Sequence, residues 1–347
     1  MFFASDNSGP VPQQILDALT QANHGFTPGY GNDDLSREVA GQLRDLFEAP
    51  EAAVSLVATG SAANCLALAS FVQPWDAIFC TPPAHIEEDE CNGPEFYTGG
   101  AKLRLVGESD KFDPAELEAA IKGTGGSVHN AQRGAVSITQ ATEKGHIYSL
   151  EELRALCDLA HAHKLPVHLD GARFANACVA LDCTPAEMTW KAGVDVAVFG
   201  GTKNGLMGVE AVIFFDPGKA WEFELRRKRG GHLFSKHRYL AAQMHGYLRE
   251  GLWRDLAEKA NAKGARLAEG LRGIEAVRLK NDPQVNMIFL EMPRRLHARA
   301  FEAGAYYYTH ADVTEGDPDE MVGARLVTDW SVADAEIDRY VDILKRA

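Results

Sequence analysis

The sequence lacks a surplus of positive charge. Its 347 residues carry 35 Lys and Arg against 49 Asp and Glu, a formal net charge of −14. Binding to nucleic-acid phosphates or to an anionic membrane surface draws on excess Lys and Arg, so neither partner is expected. The six cysteines (Cys65, Cys80, Cys91, Cys157, Cys178 and Cys183) form no CxxC pair. Free thiols in a reducing cytoplasm are therefore expected rather than a disulfide framework. No run is apolar enough to cross a bilayer, and the opening MFFASDNSGP has no basic n-region, so a cytoplasmic chain with no membrane partner is expected. There is no internal repeat, no low-complexity tract and no HExxH motif. His161 and His163 stand two apart in a helical pattern and so point away from each other, and no metal site is expected from them.

What is present is ordinary globular usage, 46% hydrophobic and 24% charged residues, with length for about two domains. Helical and strand patterns alternate through the first two thirds. Leu35, Val39, Leu43 and Leu46 recur at helical spacing in 33–49. The run AVSLVA (53–58) reads as a strand, followed by the turn TGS and a small-residue helix over 62–72. Asp113 and Pro114 open a helix to 122, and Ser149 with Glu152 forms a capping box for 149–164. GAVSIT (134–139), PVHLD (166–170), VDVAVFG (194–200) and VEAVIFF (209–215) read as strands, and TPAEMTWKA (184–192) as a capped helix. Such alternation predicts an α/β protein with a mainly parallel sheet between helices. From about Lys236 the pattern becomes a long helical stretch, then strands over 286–292, 304–310 and 324–330, and a last helix capped by Ser331. That predicts a smaller α+β domain.

Three strand ends carry unusual chemistry, and ligands of open α/β sheets bind beyond the carboxyl ends of strands. SLVATGSAAN is strand, tight turn and helix, with Gly60 and Ser61 at a helix N-terminus whose free amides suit a phosphate. PVHLDGAR ends a strand on Asp170, a carboxylate that must find a partner after an apolar run. FGGTKNGLMG sets Lys203 among four glycines, a costly density unless backbone must come near something. Singly, each has an ordinary explanation: a helix cap without ligand, an Asp170–Arg173 salt bridge, a solvated loop lysine. Together they describe one ligand. A phosphate cup, an acid able to hold a ring nitrogen and an amine able to condense with a carbonyl are what pyridoxal 5′-phosphate requires.

The segments ATGSAAN, HLDGAR, FGGTKNG and ARLVTDWS, in this order, resemble the L-threonine aldolases of low-specificity type, within the aspartate-aminotransferase-like (fold type I) enzymes. The likeness runs from ASDNSGP to RLVTDWS. It implies a mainly parallel seven-stranded sheet with helices on both faces. It divides the chain into an N-terminal segment with a large cofactor domain (1–245) and a small C-terminal domain (246–347). The activity implied is cleavage of L-threonine, L-allo-threonine or related L-β-hydroxy-α-amino acids such as phenylserine to glycine and an aldehyde. Other fold type I reactions (β-elimination, racemisation, transamination) are the near alternatives, and a metal-binding protein or hydrolase a distant one.

Residue by residue, the resemblance makes Lys203 the lysine that binds the cofactor covalently and Asp170 the partner of its ring nitrogen. Gly60 and Ser61 would hold the phosphate. His85, in TPPAHIEEDE, would stack on the ring near the substrate hydroxyl, with downstream acids raising its pKa toward an acid–base role. Arg173 and Arg325 would face the substrate carboxylate, with Ser5 as a third contact. Tyr30 would stand near the site, and Gln140 would face the cofactor. The basic run 226–238 would lie at a subunit interface, where Arg229 could reach a neighbour's phosphate, in a homodimer or homotetramer with shared sites. Many relatives carry a second histidine after the strand GAVSIT; here Thr142 is close to that place and His146 lies four residues on.

Overall fold

A computed structural model describes residues 1–346. Seven strands form the main sheet: β1 (Ala53–Val57), β2 (Asp76–Cys80), β3 (Lys102–Leu105), β4 (Gln132–Thr139), β5 (Val167–Asp170), β6 (Val196–Gly200) and β7 (Glu210–Phe214). Their order is β1-β7-β6-β5-β4-β2-β3. The pairs from β3 to β6 are parallel, and β7 alone runs against both of its neighbours. Strands β2, β5, β6 and β7 are buried at every position, as strands covered on both faces must be. Helices on either face bury Phe47, Phe174 and Phe199 in one core and Leu66, Phe214 and Phe223 in another.

The order has one consequence for function. Parallel strands deliver their carboxyl ends to a single edge, so Thr139 pairs across from Asp170 there. Antiparallel β7 brings its first residue to the same edge, where Glu210 lies opposite both Gly200 and Val57.

A second, antiparallel sheet follows: β8 (Arg278–Leu279), β9 (Met287–Pro293), β10 (Tyr308–Thr309) and β11 (Met321–Val327), in the order β10-β11-β9-β8. The helix Leu252–Arg272 joins the two halves. Its first turns bury Leu252, Trp253 and Leu256 in the main core, and its last turns bury Leu267 and Leu271 in the second. The amino terminus also belongs to this second sheet's surroundings. Phe3 donates its amide to Tyr306 and accepts from the amide of Val327, and its ring fills the second core.

Three local expectations differ from the structure. Residues 184–192 keep the capping contacts, with Glu187 N donating to Thr184 Oγ1 at 3.2 Å, but only Trp190–Ala192 is helical, as a 3₁₀ turn. The Thr189 hydroxyl donates to Pro185 O at 2.6 Å, a side-chain bond of the kind that competes with regular helical bonding. In 304–310 only Tyr308–Thr309 pair with β11, because Tyr306 turns to the amino-terminal segment instead. The last helix begins at Asp334 with Ala333 as its cap. Ser331 cannot cap it, since its amide and hydroxyl both donate to Asp329 Oδ1 at 2.9 and 2.8 Å.

Candidate active site

The strand ends converge on a cavity of about 310 Å³ lined by Gly60, Ser61, Asn64, His85, Asp170, Lys203 and Glu210, among others. The glycines before Lys203 serve the approach of backbone to backbone. A Cβ on Gly200 would lie 2.5 Å from Gly171 O, and one on Gly201 would lie 2.7 Å from Val209 O. Only glycine lets the lysine turn press against the turn that carries Asp170. Asn204 then anchors that turn from behind, donating to Tyr247 Oη at 2.6 Å and Trp253 O at 2.7 Å.

Lys203 occupies the 3₁₀ turn Thr202–Asn204. Its ammonium has no ion-pair partner among the described residues. Burial lowers its pKa, and the like charge of Arg173 lowers it further, against the opposing pull of Asp6, Asp170 and Glu210. A lowered pKa favours the neutral amine, the nucleophilic form of lysine.

Asp170 is 3% exposed and does not pair with Arg173. One carboxylate oxygen accepts from Ala172 N at 3.0 Å and the other from Asn64 Nδ2 at 2.8 Å. Arg173 instead forms a two-pronged ion pair with Asp6, at 2.8 and 3.0 Å. Burial alone would raise the pKa of Asp6, but Arg173 and Lys203 hold it below the usual carboxylate range. Ser5 caps the short turn that presents Asp6, accepting from Asn7 N at 3.1 Å. Arg325, on β11, adds a second guanidinium nearby. Its Nε is buried without a partner, its head lies 5.5 Å from the ring of Tyr308, and burial and then Arg173 lower its pKa. Two cations facing one carboxylate leave an excess positive charge, the electrostatic signature of an anion site.

His85 sits partly buried at the start of a short helix, its Nδ1 2.8 Å from Glu90 Oε1. That bond raises its pKa, burial opposes it, and Asp170 adds to the rise. The direction matches the sequence expectation, and Glu90 is the acid responsible. Thr59 caps the helix Gly60–Ala69 by accepting from Ala62 N at 3.2 Å. The earlier amides of Gly60 and Ser61 face the cavity end, and a Cβ on Gly60 would meet nothing within 4 Å.

Six of the sequence-predicted residues do not line this cavity in the single chain: Ser5, Arg173 and Arg325, which stand around Asp6, and Gln140, Tyr30 and Arg229. Gln140 is fully buried with its carboxamide closed on the backbone of Tyr148, through two bonds of 2.9 Å. Tyr30 is half exposed, its ring 4.6 Å from Lys228 Nζ. Arg229 lines a separate surface cavity with Phe96, Tyr97 and Leu225. Thr142 and His146 are both committed to the buried carboxylate of Asp110, at 2.5 and 2.7 Å. Between them, Glu143 reaches the site instead, accepting from His85 N at 2.9 Å and Thr139 Oγ1 at 2.7 Å, with its other oxygen buried and unpaired.

Sequence reasoning missed Asn64, Glu90, Glu143 and Glu210. Glu210 lay in plain view as the acid opening an otherwise apolar strand, VEAVIFF. It accepts from Gly201 N at 2.7 Å and Thr202 Oγ1 at 2.5 Å, and burial pushes its pKa up from 4.5 to about 7. Between those pH values the folded chain binds a proton that the unfolded chain has lost, so Glu210 destabilises the fold as pH rises through the window. The apoprotein variant Glu210→Gln is therefore expected to gain about 2–3 kcal/mol relative to wild type between pH 5 and pH 8. Denaturant unfolding at the two pH values measures this, and an unchanged difference would remove the ionisable-carboxyl reading of Glu210.

An unpaired amine, a hydrogen-bonded carboxylate beside it, an open helix end and an orphan guanidinium nitrogen fit pyridoxal 5′-phosphate with an amino-acid carboxylate. This edge, on this strand order, is that of a fold type I pyridoxal-phosphate enzyme, and pyridoxal 5′-phosphate is its cofactor. Residues 3–293 match the model of the beta-eliminating lyase family. The chain is 39% identical to a low-specificity L-threonine aldolase of a Pseudomonas species over 96% of this chain and 94% of that one. It is 37% identical to the corresponding Pseudomonas aeruginosa protein, over 99% and 96%. A solved Leishmania major threonine aldolase superposes with a TM-score of 0.92 at 28% identity, covering 99% of this chain and 98% of that one. The chain belongs to the low-specificity L-threonine aldolases. Among the described residues no helix is long and apolar enough to cross a membrane.

Proposed function

We propose that the chain cleaves L-threonine, L-allo-threonine and related L-β-hydroxy-α-amino acids to glycine and an aldehyde. The observation that carries this is the unpartnered Lys203 amine in one cavity with the carboxylate of Asp170. Lys203 would hold the cofactor covalently, Asp170 would hold its ring nitrogen, and the amides of Gly60 and Ser61 would hold its phosphate. When bound, the cofactor supplies an electron sink for the pair left by Cα–Cβ cleavage. The chain's own residues do the rest. Arg325, helped by Arg173 and the Ser5 turn, grips the substrate carboxylate and so orients the bond to be broken. His85 takes the proton of the β-hydroxyl through Nε2, which such general bases make worth roughly 10²–10⁴ in rate.

The exposed face bearing Phe96, Trp221, Leu225 and Arg229 supports a homodimer or homotetramer in which Arg229 and Tyr30 serve a neighbour's site. Free thiols, five of six buried, support a cytoplasmic location.

Two measurements test the reading. Holoenzyme given L-threonine should release glycine and acetaldehyde in equal amounts; pyruvate or ammonia would assign a different fold type I reaction, and phenylserine in competition ranks the side chains. Arg325→Ala is expected to raise KM about 10–100-fold, the worth of a charge-assisted hydrogen bond, with cofactor affinity unchanged. An unchanged KM would take Arg325 out of the substrate site.

A further inference from the structure

We propose that Glu90 and Asn64 are positioning residues: Glu90 sets the orientation and protonation of His85, and Asn64 couples that setting to Asp170. The proposal rests on His85 being the acid–base group. Glu90 is 6% exposed, yet its carboxylate is fully engaged. Oε1 meets His85 Nδ1 at 2.8 Å and Asn64 Nδ2 at 2.9 Å, and Oε2 accepts from Cys65 Sγ at 3.2 Å. The same Asn64 nitrogen donates to Asp170 Oδ2 at 2.8 Å. One amide thus lies between two buried carboxylates.

The physical need for this bridge is clear. His85, Glu90 and Asp170 present their polar atoms within 4.8 Å of one another, a spacing at which two bare carboxylates repel. Such a triad could also suit a divalent cation, but the two N–H bonds of Asn64 already point at both acids. A carboxylate only accepts hydrogen bonds, so the contact with Glu90 keeps the proton on Nδ1 of His85. Neutral His85 then carries its lone pair on Nε2, the nitrogen left for the substrate. Four ionisable groups face this histidine. Glu90 and Asp170 favour its cation, Lys203 opposes it, and Glu143 accepts from its backbone amide. Glu90 contributes most to its raised pKa. Because Asn64 holds both acids, a change of charge at Asp170 reaches His85 through three hydrogen bonds, Asp170–Asn64, Asn64–Glu90 and Glu90–His85.

The test is Glu90→Gln in the holoenzyme, with the ring nitrogens of His85 titrated by NMR on histidine-labelled protein. Loss of an adjacent opposite charge is expected to lower the His85 pKa by about one unit or more. The acid limb of kcat/KM should move down by the same amount, with cofactor affinity held. An NMR titration identical to wild type overturns the positioning role. A shifted titration with an unmoved kinetic limb overturns His85 as the acid–base group instead, so the two failures are distinguishable. Should Glu90→Gln not fold, Asn64→Ser gives the second arm. Unbridged, Glu90 and Asp170 crowd their charges, and the His85 pKa should rise. A fall or no change there overturns the bridge.

Discussion

Replacing Lys203 by Ala is expected to abolish turnover and the visible absorbance of covalently bound cofactor together. The expectation follows from what surrounds the amine. Lys203 is the one lysine or arginine lining the cavity, and among the described residues its amine has no ion-pair partner. Burial and Arg173 both favour its neutral form. Its turn is braced by Asn204 and by the close backbone packing of Gly200 and Gly201, so the variant removes an amine and leaves the scaffold standing. Borohydride reduction of wild type should place the pyridoxyl label on Lys203 alone. A label on any other lysine, or residual lyase activity in the variant, defeats the assignment.

Asp170→Asn is expected to lower kcat on the order of 10²–10³-fold, the usual cost of losing one preorganised electrostatic partner in an active site. The substitution is nearly isosteric, and an amide oxygen can still accept from Ala172 N. On the proposed role of Asp170, what would disappear is the negative charge that favours a proton on the cofactor's ring nitrogen, and with it the ring's strength as an electron sink. Asn64 would then meet a second amide where it now meets an acceptor, unless the new side chain turns its oxygen that way. The measurements are kcat for threonine cleavage and the cofactor's absorption maximum. A fully active variant would falsify the ring-nitrogen role.

The two predictions differ in how far each residue could be read from local pattern. Lys203 and Asp170 both end apolar runs, so each shows as a charged group where burial makes charge expensive. The glycines around Lys203 signalled close approach, and Gly200 does press on the neighbouring turn, where a Cβ would lie 2.5 Å from Gly171 O. Arg325 followed the same logic on a strand of the second sheet, where its Nε is buried without a partner.

Apolar runs and their flanking turns were enough to mark β1, β4, β5, β6 and β7 and the helices between them, because these depend on periodicity and burial within a few residues. They also placed the helix end at Gly60 and Ser61. Partners lay beyond their reach, because hydrogen bonds between distant segments leave no trace in local spacing. Asp6 meets Arg173 across 167 residues, and Asn64 meets Asp170 across 106. Glu210 enters the site only because β7 runs backwards between two strands that run the other way. His85 owes its setting to a turn that folds Glu90 back beneath it. The sequence by itself marked Asp170, Lys203 and Arg325 as charged groups beside apolar runs; how each is held and paired was decided by the sheet order that brings distant segments together.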